Sequence, residues 1–227
     1  MSWYERTEAL IGNEGVEKLK NSHVAVFGIG GVGSYVAEAI ARAGVGEITL
    51  VDGDVVAESN INRQLVATTS TVGQPKVEIM KKRILDINPK AKVNTIFDFY
   101  TSDNREKFMN NYTYVVDAID SVPNKLDLIE TFINKNIKII SSMGTANKLD
   151  PTKFEMADIY KTSVCPLAKV MRKKLKEKGI KKLKVVYSKE EAKQCKTENT
   201  LLGSVSFVPS VAGLILAGAV IKDIVDL

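Results

Sequence analysis

Hydrophobic positions along the chain change period repeatedly. Two short runs, HVAVFG from His23 and EITLVD from Glu47, are dense in β-branched and apolar residues, and between them Ser34 to Ala43 carries its apolar residues at helical spacing. This is the pattern of one strand, helix and parallel strand unit. The alternation continues with a helix over Lys76 to Ile87, strands VNTIF and YVVDA, a helix over Lys125 to Asn134, and strand IKIISSM. A parallel sheet is therefore expected through Met143. Beyond it come the run FEMADI, an amphipathic helix from Leu167 to Lys178 stopped by Gly179, strand KVVYS, a polar stretch from Lys189 to Thr200, strand SVSFV and a final helix. Leu167, Val170, Met171 and Leu175 are expected to face inward from the amphipathic helix.

The fold class that follows is α/β, a Rossmann-like open and mostly parallel sheet with helices on both faces, extended by C-terminal strands and a last buried helix. One domain over residues 1–227 is expected, with a helical arm at 1–22, a nucleotide-binding core at 23–143 and a substrate- and dimer-side extension at 144–227. The apolar run Val205 to Ile221 contains Pro209 and falls short of the span of about 20 residues a membrane helix needs, so it reads as a buried helix rather than a membrane insertion. The N-terminal residues carry acids and no signal-like apolar run, which makes the cytoplasm the expected location. With only Cys165 and Cys195, neither a disulfide framework nor a four-cysteine zinc site can form.

The chemistry starts at GIGGVG, between the first strand and its helix. Gly28, Gly30 and Gly33 occupy the positions that let backbone approach phosphates at a helix N-terminus, and Asp52 ends the second strand where an acid can accept ribose hydroxyls. Asn60, Arg63, Gln64 and Lys76 follow in the next loops. Arg grips phosphate with a fork and Lys with a point charge, a supply of cations that suits a triphosphate better than a dinucleotide. Asp117 and Asp120 sit at the carboxyl end of a further strand, where a carboxylate can hold Mg²⁺.

Charge adds a second anionic ligand. Of the net +5, the segment from Lys169 to Lys196 holds twelve Lys/Arg against three Glu, a surplus of nine, which leaves the rest of the chain at −4. One basic patch on an acidic-leaning body points to a nucleic acid, contacted by Arg172, Lys173, Lys176, Lys181, Lys182 and Lys184.

The order and spacing of GIGGVGS, LVDGDVV, SNINRQ, GQPK and DAIDS resemble the ATP-binding core of the adenylating enzymes related to ubiquitin-activating enzyme, the ThiF/MoeB type. Within that superfamily, INRQLVATTSTVGQPKVEIMKKRILDINP, SSMGTANKLDPTKFEMADIYKTS, PLAKVMRKKLK and VVYS resemble the tRNA threonylcarbamoyladenosine dehydratases, from about Arg6 to the C-terminus. The resemblance implies that a carboxylate attacks the α-phosphate of ATP, that pyrophosphate leaves, and that ring closure within the modified adenosine beside the tRNA anticodon then releases AMP. It implies that Gly28, Gly30, Gly31 and Gly33 form the nucleotide loop, that Asp52 holds the ribose with Asp54 beside it, and that Asn60, Arg63, Gln64 and Lys76 contact phosphates. Asp120 matches the Mg²⁺ position, and Asp117 is read as structural. Arg6 matches an arginine that reaches the ATP of the partner subunit, which implies a homodimer.

The chain departs from its relatives at two thiols. Cys165 stands where many dehydratases carry an acid, and Cys195 lies where carrier-activating enzymes place a nucleophile; ring closure within one base needs neither. Two alternatives stay open at this point: adenylation of a small sulfur-carrier protein, and a non-catalytic sulfur relay that works with a sulfur-transfer protein. His23, the sole histidine, is expected to be structural.

Overall fold

The computed structural model describes residues 3–194 and 202–227. Cys195 and Lys196 lie outside the described residues. The chain begins with α1 (Glu5–Lys20) and then alternates β1 (His23–Phe27), α2 (Gly33–Ala43), β2 (Glu47–Val51), α3 (Lys76–Ile87), β3 (Lys92–Ile96), β4 (Tyr114–Asp117), α4 (Val122–Asn134) and β5 (Lys138–Ser142). It ends with β6 (Phe154–Asp158), α5 (Pro166–Glu177), β7 (Lys184–Ser188) and α6 (Phe207–Val225).

The seven strands form one sheet in the order β3-β2-β1-β4-β5-β7-β6. All neighbours are parallel except β6, which pairs antiparallel with β7 at the edge, Met156 opposite Val186. Strands β1, β2 and β3 wind one way and β4 and β5 the other, so the direction reverses between β1 and β4. The carboxyl ends at such a reversal diverge and leave a crevice, the usual ligand site of open α/β sheets.

Every residue of β1 is buried, as a strand covered on both faces requires. Val24 and Val26 pack into the core formed with α2, α3 and α6, while Ala25 and Phe27 point into the core formed with α4 and α5. Helix α6 is long and apolar enough to cross a membrane, yet 61% of its apolar window is buried, against α1, α2 and β5. It is a core helix.

Two details correct the sequence reading. SVSFV is not a strand: Leu202 to Val205 are irregular and α6 begins at Phe207. A short apolar run has no period of its own that separates strand from buried helix, and Pro209 falls in the first helical turn, where its missing N–H costs nothing. On α5 the inward residues are Ala168, Met171 and Leu175, whereas Val170 is exposed.

Candidate active site

The glycine loop is shaped by two close approaches. Gly28 leaves β1 at φ +88, and a Cβ there would lie 2.7 Å from the Ala118 carbonyl oxygen of the β4–α4 turn. A Cβ on Gly33 would lie 1.8 Å from the Gly28 carbonyl oxygen. Any larger residue at either position would push the start of α2 away from β1. Gly33 thus closes the helix onto the strand, while Gly30 and Gly31 present their backbone to a cleft of about 730 Å³.

This cleft opens at the carboxyl ends of β1, β2, β4 and β5. Every nucleotide residue expected from the sequence lines it except Gly33 and Arg6. Asp52, at the end of β2, is nearly buried: its Oδ2 accepts from Ile29 N at 2.6 Å and its Oδ1 from Asp54 N at 2.8 Å. It braces the glycine loop and keeps lone pairs for further donors. Burial pushes its carboxyl above the ordinary range, against the opposing pull of Lys76.

Lys76 is the first residue of α3. Its ammonium, buried from solvent, pairs with Asp54 at 2.7 Å. Asp54 thus ties the lysine down beside the cleft, which both residues line. Arg63 donates from Nη1 to the Ser59 carbonyl and to Asn62 Oδ1, both at 2.8 Å, and Asn60 Oδ1 accepts from Ala57 N at 3.1 Å. The loop that carries the expected phosphate contacts is thus tied to itself. Gln64 is 8% exposed, and its amide oxygen has no hydrogen-bond partner among the described residues. A buried acceptor left open in a cleft wall is suited to a ligand's donor.

Across the cleft, Asp120 is exposed in the turn after β4. Ser121, not Asp120, is the N-cap residue of α4, and no side-chain bond or ion pair engages the Asp120 carboxylate among the described residues. Asp117 is fully buried on an ion pair with Lys125, in keeping with a structural role.

Arg6 is exposed on the first turn of α1 and lines no part of the cleft. His23 Nε2 lies 2.8 Å from Thr49 Oγ1, remote from the glycine loop. Cys165 is 2% exposed at the N-cap of α5.

The basic residues divide into two groups. Lys173, Lys176, Lys181 and Lys182 are exposed, with no ion pair among the described residues. Lys184 instead donates to Asp223 Oδ1 at 2.7 Å, and Tyr114 shares that carboxylate. Arg172 is bound to the Thr162 carbonyl at 2.9 Å. Both cations are committed to joining elements. Helix α5 starts at the cleft, where Leu167 forms part of the lining, and carries its lysines away from it.

Phe99 also lines the cleft, 56% exposed, with its ring over Gly53, where a Cβ would come within 2.7 Å of it. It offers an aromatic face at the carboxyl end of β3. The signal was the FDFY run directly after a strand next to Asp52; the Ser142 to Ala146 part of the lining had no comparable cue.

The ThiF family model matches residues 4–227. The chain belongs to the ThiF family. This ThiF-family chain is 49% identical over 239 residues to a Bacillus subtilis tRNA threonylcarbamoyladenosine dehydratase, covering 97% of the chain and 94% of that protein. The crystal structure of the E. coli tRNA N6-threonylcarbamoyladenosine dehydratase TcdA in complex with ATP superposes with a TM-score of 0.91 at 35% identity, covering 98% of this chain and 93% of that one. E. coli MccB with ATP shares the fold, with a TM-score of 0.70 at 21% identity over 100% of this chain and 64% of that one. The resemblance in motifs to the adenylating superfamily and to its dehydratases holds across the chain.

Proposed function

We propose that the protein is an ATP-dependent tRNA threonylcarbamoyladenosine dehydratase that adenylates the substrate's carboxylate and closes it into a ring with release of AMP. The observation that carries this reading is the cleft itself, where the glycine loop, the buried Lys76 ammonium and the free Asp120 carboxylate border one space. ATP is the nucleotide that the similar TcdA structure contains.

In this reading the loop backbone and the α2 N-terminus take phosphate oxygens, Asp52 holds the ribose, and Phe99 gives the adenine a stacking face. A carboxylate oxygen of the modified adenosine attacks the α-phosphorus, and pyrophosphate leaves. A nucleophile of the same modified base then attacks the activated carbonyl carbon, and AMP leaves; the substrate loses the elements of water while ATP becomes AMP and pyrophosphate. Lys76 and Arg63 stabilise charge that grows on the phosphate oxygens, the kind of preorganised electrostatic help that carries such transfers. The Ser59 and Asn62 bonds keep Arg63 on its loop, from which a bound triphosphate would recruit it.

Mg²⁺ fits this donor set. Among the described residues no group of three or more His, Cys, Asp or Glu gathers in one place, but Mg²⁺ commonly rests on one or two carboxylates together with substrate phosphates. Asp120 supplies such a carboxylate, and the ion would supply charge neutralisation at the phosphates.

A homodimer in the cytoplasm completes the reading. Phe207, Val211, Leu214, Gly218 and Ile221 follow one another along one face of α6, with Phe207 and Leu214 about half exposed. Helix α1 packs on α6 and shows Leu10, 85% exposed, one turn after Arg6. An apolar face next to an arginine that its own cleft does not use favours a second copy as the partner. The unpaired lysines of α5 support tRNA as the anionic substrate. The test is AMP release from ATP: it should require tRNA that carries threonylcarbamoyladenosine. Stimulation instead by a sulfur-carrier protein would overturn the reading.

A further inference from the structure

The cleft floor rests on a buried ion pair that the proposed chemistry does not use. Lys125 and Asp117 expose no side-chain surface, and their charged atoms are 2.7 Å apart. Asp117 Oδ2 also accepts from Ser141 Oγ, and its Oδ1 accepts from Ile119 N at 3.2 Å, inside the turn that leads to Asp120. Lys125, in the first turns of α4, donates further to the Ser142 carbonyl at 3.0 Å and to Ser141 Oγ at 3.3 Å. Ser142 opens the opposite wall of the cleft, which continues through Gly144.

One carboxylate and one ammonium therefore join the ends of β4 and β5 to the start of α4. The same turn touches the glycine loop, because the Ala118 carbonyl oxygen stands only 2.7 Å from where a Gly28 Cβ would be. The pair thus links the Ala118 to Asp120 turn to the end of β5, where the Ser142 to Gly144 wall begins, and the glycine loop packs on that turn at Ala118.

Energetics argue that stability is not the pair's purpose. Burying two ions costs several kcal/mol each, and well-packed apolar replacements of such pairs are often neutral or stabilising. What an apolar pair cannot do is direct one hydrogen bond into the Ala118 to Asp120 turn and three to Ser141 and Ser142 at the end of β5. Misplacement of a reacting group by about 1 Å can cost about a hundredfold in rate.

We propose that Lys125 and Asp117, with Ser141, are positioning residues that hold Asp120 at the phosphate side of the cleft, and so set how the enzyme uses its divalent cation. The proposal rests on the reading of Asp120 given above.

The test is a cycle of four proteins: wild type, Asp120→Asn, the apolar double variant Asp117→Leu with Lys125→Met, and the triple variant. AMP release is measured across a Mg²⁺ titration, beside the melting temperature. The double variant should melt within a few degrees of the wild type, release AMP at least about tenfold more slowly, and need more Mg²⁺ for half-maximal rate. In the triple variant the two losses should not multiply, because the pair acts through Asp120. Fully multiplicative losses, or a double variant with wild-type rate and wild-type Mg²⁺ requirement, would overturn the proposal while leaving the cleft reading intact. A fully active Asp120→Asn protein would overturn both. Should the double variant fail to fold, Ser141→Ala removes one bond to Asp117 and keeps the ion pair. It should raise the Mg²⁺ requirement without lowering the melting temperature by more than a few degrees, and an unchanged Mg²⁺ requirement would count against the proposal.

Discussion

Lys76 and Asp54 form an ion pair of unequal exposure: the lysine side chain is 5% exposed and the aspartate 53%. The carboxylate can be rehydrated when its partner goes, whereas the buried ammonium has no other carboxylate within ion-pair distance among the described residues and keeps only the longer-range attraction of Asp52. Lys76→Ala should therefore fold normally and lose about two to three orders of magnitude in AMP release, the loss expected when a preorganised charge at a reacting centre is removed. Asp54→Asn should weaken the hold on Lys76 and give a smaller loss. Steady-state AMP assays with circular dichroism as a fold check measure both.

Asp52 carries a pH signature. Burial raises its carboxyl above the ordinary range, so its protonated form favours the folded state at low pH, and that contribution is lost as pH rises through the raised pKa. Asp52→Asn does not titrate. The melting temperature of Asp52→Asn minus that of the wild type should grow more positive from about pH 4 to about pH 7, and ATP affinity at about pH 7 should fall, as the Asn has lost the anionic acceptor for ribose. A difference that shrinks with rising pH would contradict this.

Arg6 lines no part of its own cleft, so the proposed homodimer predicts that it acts on the partner's site. Mixing inactive Arg6→Ala with inactive Lys76→Ala should restore activity, since one site in each mixed dimer keeps both residues. No recovery after demonstrated subunit exchange would show that each site is built within one chain.

The exposed lysines of α5 and of the loop that follows it give a salt-dependent prediction. Lys173→Glu, Lys176→Glu and Lys182→Glu together should weaken tRNA binding and flatten the slope of log affinity against log salt by about one unit per lost phosphate contact. ATP affinity should stay the same. Adding Lys184→Glu should instead lower the melting temperature, because it breaks the bonds to Asp223 that join β7 to α6.

What could be read from the sequence is local. Strand, glycine loop, helix and the acid that ends the second strand fall within residues 23–52, and each leaves a mark in residue type or period. Lys76 was readable because it sits in GQPK, a cation shortly after the second strand at the start of a helical pattern. Lys184 was not: its partner Asp223 lies 39 residues away on another element, and no local pattern links the two. Val170 was expected inward but is exposed, and Ala168, for which no place was expected, takes the inward position because a small residue at a tight helix contact carries little hydrophobic signal. SVSFV failed for the related reason that a continuous apolar run fits strand and buried helix alike. Residues of the Ser142 to Ala146 wall reach the cleft only through the sheet order, which sequence periodicity does not encode.

Mass spectrometry of the nucleosides from tRNA incubated with the protein and ATP tests the central claim most directly. Threonylcarbamoyladenosine should be converted to a product lighter by the mass of one water, with one AMP formed for each conversion and product formation slowed by about two to three orders of magnitude in Lys76→Ala. Unchanged threonylcarbamoyladenosine, in a reaction where the protein demonstrably binds both ATP and the tRNA, would contradict the account.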